Sequence, residues 1–436
     1  MLRLATPLAM AELGWMAMGF VDTVMAGRLG AAAIGAGTLG SMLFFPIVIC
    51  GTGMLLGMDT LVSHAFGARD DAACRRILVQ GMWIALGLSP VVAALLALTV
   101  PLLNAVGTNP HVMVLLAPYI RALLWGIPPL MFYSAFRRYL QAMNIVKPIT
   151  FAVISANLLN FAGNWLLMYG NWGFPRMGLE GSGYATSISR IYIAAVLLLA
   201  VIQHERKSFV RGRFSWRPEW PLIQRLSVLG FPSAMQILAE GAVFGIVSVM
   251  AARFDEVSLA AHSIAVNVIS ITYMVPLGIS SAAAVRVGQA AGRQSPQGMA
   301  VSGWTALGIA TAFMSAAGLA LALVPRAIAR LYTPEVQVIA ASAGLLRIAA
   351  LFEIFDGLQV VATGALRGLG DTRTPAYAHF GGYWVLGMPI AYVLCFPFGW
   401  GVAGIWAGLT AALIAIGLML VLVWRRRLRD VWAGAN

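Results

Sequence analysis

The sequence predicts an all-α integral membrane protein: twelve transmembrane helices in two six-helix bundles, related by a parallel repeat around a central cavity. Three observations predict it. Hydrophobic residues make up 60% of the 436 and charged residues only 10%, far below the roughly one quarter usual for a soluble domain. Apolar runs long enough to cross a hydrocarbon core recur along the whole chain. The chain also repeats itself 225 positions on, as from Pro7 to Pro232.

Taken in order, the apolar runs place spans at 5–28, 34–66, 75–103, 113–142, 147–170, 180–203, 223–252, 258–290, 298–325, 337–366, 374–397 and 401–424. The first lacks the short apolar core and small-residue cleavage site of a signal peptide, so it is expected to stay as a span. With the N-terminus inside, twenty-one of the 29 basic residues fall on inner segments. Five fall on outer ones (Arg28, Arg176, Arg253, Arg326, Arg330) and three within spans (Arg121, Arg190, Arg347). That asymmetry predicts a multi-pass protein of the inner, cytoplasmic membrane with both termini in the cytoplasm. The net charge of +13 therefore reports topology and argues against a nucleic-acid partner. The longest polar interval, Glu205 to Arg225, carries Arg, Trp, Pro218 and Pro221 and reads as a linker on the membrane surface. It divides the chain into an N-lobe at 1–204, a linker at 205–225 and a C-lobe at 226–436.

The repeat supports that division. Pro7, Ala9 and Met10 match Pro232, Ala234 and Met235; VMAGR at Val24–Arg28 matches VMAAR at Val249–Arg253; Val62, Ala65 and Gly67 match Val287, Ala290 and Gly292. Further on, Arg121 aligns with Arg347, Pro148 with Pro375, and GLEGSGYA from Gly178 with GVAGIWAG from Gly401. Six spans return the chain to its starting side, so the two halves share one orientation. Such a parallel repeat places a substrate cavity between two bundles.

An ionisable group at bilayer depth is costly and marks a functional position unless it reaches the interface or is neutralised. Six acids fall within spans: Glu12, Asp22, Asp59, Glu240, Glu353 and Asp356. Asp59 lies near a span end, where snorkelling or pairing with Arg69 accounts for it, and Glu12 has no evident partner. Glu353 and Asp356, three apart, share a helix face. Glu240 and Asp356 lie on helices of one half and can converge on a cation through carboxylate oxygen, or each can be kept neutral by burial. In the first half, Asn157, Asn160 and Asn164 line one face of span five. With Asp22 and Thr186 they can supply oxygen ligands to a small cation, or serve as interhelical hydrogen bonds. The repeat position of Asp22 is Val247, so the two halves are expected to carry unlike sites.

Other chemistry lacks its residues. The two lysines, Lys147 and Lys207, lie outside any phosphate-binding loop. Cys50, Cys74 and Cys395 are scattered, as are the five histidines, and no cofactor site or nucleophile motif is present. An ion gradient fits as the energy source, and the chain is expected not to be an enzyme.

These residues resemble the multidrug and toxic compound extrusion (MATE) transporters, in particular the bacterial NorM-like branch, over nearly the whole chain. The resemblance rests on Pro7 followed by GFVDTVMAGRLG, on LVSHAFGARD, NLLNFAGNWLLMYG, GLEGSGYATS, AEGAVFG, AAHSIAVNVIS and VRVGQAAG, and on EIFDGLQVVATGALRGLGDTRTP. It implies a two-lobed exporter that exchanges sodium ions or protons for cationic, amphipathic drugs and dyes by alternating access. It also implies that Asp22, Asn160 and Asn164 form a first-lobe site, that Glu240 and Asp356 are the second-lobe acids, and that Pro7 bends span one on cation binding. Where some relatives carry an acid this chain has Asn164, which puts a purely proton-driven site in doubt. Where some carry an aromatic hydroxyl it has Phe352, whose ring face can still attract a cation.

The expected machinery is therefore Asp22, Asn160, Asn164, Thr186, Glu240 and Asp356 as cation-binding residues, with the carboxylates of Asp22, Glu240 and Asp356 as sodium ligands. Pro7, Asn157, Phe352 and Glu353 are expected at substrate or helix-bending contacts. No cofactor beyond the coupling ion, Na+ or H+, is expected, and the partners are small cationic molecules and membrane lipids around a monomer. The alternative is a flippase for a lipid-linked precursor, which calls for a cavity lined by cationic residues.

Overall fold

The computed structural model describes residues 1–207 and 215–433. Residues 208–214, part of the expected linker with Arg211 and Arg213, lie outside the described residues. Among those described, every regular element is a helix. The spans are α1 (Leu2–Gly27), α2 (Ala31–Gly67), α3 (Asp71–Ala105), α4 (Pro110–Leu124 with Ile127–Ala142), α5 (Lys147–Met168) and α6 (Leu179–Lys207), then α7 (Trp220–Ala251), α8 (Glu256–Gly292), α9 (Pro296–Leu323), α10 (Val336–Gly368), α11 (Arg373–Cys395) and α12 (Val402–Ala433). Span α4 is bent by 46° between its two segments, and α2 is interrupted by a turn between Met54 and Gly57. The bend of α4 follows from composition: Pro128 and Pro129, opening the second segment, have no N–H to continue the ladder of the first.

Polar side-chain caps begin three of the long helices, α3, α8 and α9. The Asp70 carboxylate accepts from Ala73 N at 2.8 Å, that of Asp255 from Ser258 N at 2.7 Å, and the Ser295 hydroxyl from Gly298 N at 3.1 Å. Each satisfies a backbone donor that the helix leaves open. Its bond from Ser258 N also holds the exposed Asp255 carboxyl below the usual carboxylate range, since hydrogen bonding favours the charged form.

The helices group into two compact units: Met10–Ala234, and Met235–Asn436 together with Met1–Ala9. The chain thus changes unit within α1 at Ala9 and within α7 at Ala234, two residues that match each other in the repeat. Inside each unit the repeat recurs as geometry. Arg69 and Gln294, 225 apart, both take positive φ, at 60° and 52°. The next residue in each case bonds back to an equivalent carbonyl: Asp70 N to Ala65 O, and Ser295 N to Ala290 O.

The second repeated motif fixes helix packing. Gly178 and Gly401 adopt φ of 60° and 56°, the left-handed region that favours glycine. Met177 N bonds to Leu167 O in the first unit, and Trp400 N to Leu394 O in the second. Three residues after each of these glycines, Gly181 and Gly404 let backbones touch. A Cβ would stand 2.5 Å from Leu167 O at the first and 2.6 Å from the Leu394 carbonyl carbon at the second. Small residues that admit close backbone approach drive helix association in lipid, where no hydrophobic force separates helix from solvent.

Gly404→Val is therefore expected to destabilise the protein by about 1–3 kcal/mol through overpacking against α11, read as a lower thermal midpoint in detergent. Gly308→Val, where a Cβ meets nothing within 4 Å, should leave the midpoint unchanged.

Candidate cation sites

In the Met10–Ala234 unit the polar side chains of α1, α5 and α6 close a ring. Asn164 Nδ2 donates to Asp22 Oδ1 at 2.6 Å and to Asn160 Oδ1 at 3.3 Å. Asn160 Nδ2 donates to the Thr186 hydroxyl at 3.4 Å, and that hydroxyl donates to Asp22 Oδ2 at 3.0 Å. Both carboxylate oxygens are held, and three of the four residues are buried: Asn160 and Asn164 fully, Thr186 at 6% exposure. Asp22 itself is half-buried. Asn164 Oδ1 is buried without a partner, which leaves one amide oxygen beside the carboxylate available to a cation.

The ring depends on local helix geometry. Asn160 and Asn164, four apart, share a face of α5. At Asn164 the winding changes to a π turn that runs to Met168, a local irregularity frequent at functional sites. Two further bonds hold α1 to α5 on either side of the ring. Asn157 Nδ2 donates to Gly14 O at 2.9 Å, and the Tyr169 hydroxyl to Met25 O at 2.7 Å. Asn157 thus stands apart from Asp22 and ties α5 to the α1 backbone. Pro7 lies within α1 and groups with the other unit.

That other unit holds a different cluster. Glu240 on α7 accepts from the Tyr383 hydroxyl at 3.5 Å and lies within electrostatic reach of Asp356 on α10. Asp356 Oδ1 accepts from Gln359 Nε2 at 3.0 Å. Gln359 Oε1 meets His379 Nε2, which also neighbours Gln236 Nε2 at 3.3 Å, while His379 Nδ1 donates to Pro375 O at 2.8 Å. Tyr383 sits in a π-helical stretch of α11, Phe380–Gly387. Glu353 is buried and its Oε1 accepts from the Thr272 hydroxyl on α8 at 2.6 Å, while its Oε2 has no partner.

Gln236, Gln359, His379 and Tyr383 were not among the expected site residues. Two of the four carried a signal, since Gln236 lies one turn before Glu240 and Gln359 one turn after Asp356. Phe352, expected at a substrate or helix-bending contact, has its ring 1% exposed and packed edge to face on Trp406, centroids 5.6 Å apart.

The remaining span acids have structural partners. Glu12, for which the sequence offered none, pairs with Arg137 on α4. Tyr133 accepts there from Trp15 Nε1 at 2.8 Å and from Arg137 Nη1 at 3.4 Å. Asp59, expected to snorkel or pair with Arg69, is fully buried and is held by Arg138 at 3.1 Å. Among the described residues no group of three or more His, Cys, Asp or Glu side chains is gathered as a metal site. A bound cation would therefore draw on amide and hydroxyl oxygen besides carboxylate.

Comparison with known proteins agrees with this architecture. The MatE family model matches residues 7–166 and 232–393, two copies whose starts lie 225 residues apart. The chain is 37% identical over 435 residues to a probable multidrug resistance protein NorM of Mesorhizobium japonicum, covering 98% of this chain and 93% of that protein. It is 38% identical over 429 residues to one of Burkholderia mallei, covering 97% and 91%. A crystal structure of a MATE protein in its bent conformation superposes with a TM-score of 0.91 at 18% identity, covering 99% of this chain and 96% of that one.

The Glu12–Arg137 pair gives a test of structure separate from transport. Glu12→Gln, which leaves Arg137 buried and uncompensated, should cost about 3–5 kcal/mol in a denaturation assay. Adding Arg137→Met should restore most of that loss, and a double variant no more stable than Glu12→Gln would contradict the pairing.

Proposed function

The chain belongs to the MATE family of multidrug transporters, and on that premise we propose that it is an antiporter in which an inward flow of sodium ions or protons drives export of cationic, amphipathic compounds. It acts as a monomer in the inner membrane, with both termini in the cytoplasm, as the distribution of its basic residues supports. The observation that carries the reading is the Asp22 ring: a carboxylate at membrane depth, both oxygens held by α5 and α6, beside the unpartnered Asn164 Oδ1.

That ring suits a hard monovalent cation. Sodium takes oxygen ligands, and Asp22, Asn164, Asn160 and Thr186 offer carboxylate, amide and hydroxyl oxygen. A proton would need Asp22 alone. Glu240 and Asp356 are the second candidate site, where Tyr383 and Gln359 supply the donors. A cationic drug relies on the same negative charge, so ion and drug compete. Alternating access follows if each ligand binds the two conformations unequally, since only differential affinity moves an equilibrium.

Purified protein in vesicles, loaded with a fluorescent organic cation and given either a sodium gradient or a pH gradient with the other collapsed, identifies the coupling ion. Asp22→Asn should lower gradient-driven efflux by at least about tenfold, the loss of one charge interaction of roughly 1.4 kcal/mol, without unfolding the protein. Glu240→Gln and Asp356→Asn should reduce it as well. Undiminished efflux in all three variants would overturn the proposal.

A further inference from the structure

Arg190 is a cation within a span that neither cluster uses. It lies on α6 and is 6% exposed. Its guanidinium carbon stands 4.2 Å from the centre of the Phe44 ring on α2. Nε and Nη1 are buried and find no acceptor, and among the described residues no carboxylate forms an ion pair with it. Room for the side chain comes from Gly126 at the bend of α4. A Cβ there would stand 2.9 Å from Arg190 Cδ and 3.1 Å from Nη1.

Its place on α6 relates it to Asp22. Arg190 follows Thr186 by one helical turn on the same face, and a helical side chain leans toward the preceding turn. That turn carries the hydroxyl that donates to Asp22 Oδ2 at 3.0 Å. Asp22 and Tyr119, the latter on α4, lie within electrostatic reach of the guanidinium. A buried guanidinium with unmet donors is costly unless an opposite charge balances it. The ring of Phe44 offsets part of that cost by cation–π attraction, and the Asp22 carboxylate supplies the charge.

We propose that Arg190 is a resident counter-charge to Asp22 that sets a low affinity for cations at this site. An entering sodium ion or organic cation shares the carboxylate with a positive charge already fixed nearby, and is released more readily for it. A transport site must bind well enough to load and weakly enough to unload. The inference rests on the reading of Asp22 as a cation site and adds what limits its affinity.

The opposite sign of effect separates this role from a structural one. Loss of a packing residue weakens binding, whereas loss of a competing charge tightens it. Sodium and tetraphenylphosphonium binding are measured by equilibrium dialysis on the purified full-length protein at one fixed pH. Arg190→Met should bind at least one of the two cations about tenfold more tightly, as removal of one like charge within reach implies. Arg190→Lys should remain near the parent protein, and Asp22→Asn combined with Arg190→Met should abolish the gain. Arg190→Gln provides the same test if the methionine variant does not fold. Binding unchanged or weakened in a folded Met or Gln variant overturns the proposal, as does a gain that survives Asp22→Asn. If Asp22→Asn alone binds both cations as well as the parent, Asp22 is not the cation site and the counter-charge role falls with it.

Discussion

A carboxylate inside a membrane must be surrounded by donors or it will not stay charged, and the Met10–Ala234 unit is arranged around that requirement. Asp22 is provided for by three side chains on two other helices: Asn164 on one oxygen, Thr186 on the other, and Asn160 between them. Bonds from Asn157 to Gly14 and from Tyr169 to Met25 fix α1 against α5 on either side. The π turn that starts at Asn164 lies where the ring needs its donor. A buried polar network is worth having only when its members are satisfied, and in the four-residue ring Asn164 Oδ1, the atom type that a cation requires, is left without a partner.

The repeat shows how one scaffold carries two different polar clusters. Matching turns, matching positive-φ positions and matching glycine contacts recur in both units, so backbone packing was retained through both copies. Polar side chains were not. Val247 occupies the position equivalent to Asp22 and is fully buried, while the second unit gathers its acids on α7 and α10 with Tyr383, Gln359 and His379 around them. Packing constrains backbones and small residues, whereas side chains facing a polar interior can diverge once helix geometry is secure.

Most of the fold was legible because its signals are local or periodic. Hydropathy located the twelve spans, and a constant offset revealed the two copies. The Asp22 ring was partly legible for the same reason, since the spacing of Asn160 and Asn164 puts both on one helix face. What escaped was whatever depends on contacts distant in sequence. Arg137 is 125 residues from Glu12, and His379 is 143 from Gln236; no periodicity joins such pairs. The packing of Phe352 on Trp406 escaped for the same reason, since position along α10 says nothing of so distant a partner.

The central claim is that a coupling cation and a cationic drug use the Asp22 carboxylate in turn. Infrared difference spectroscopy on the purified protein tests it most directly. The account predicts that adding the coupling ion changes a carboxyl band, that an organic cation reverses the change, and that the band is missing in Asp22→Asn. An identical difference spectrum in Asp22→Asn, or one that the organic cation leaves untouched, would contradict it.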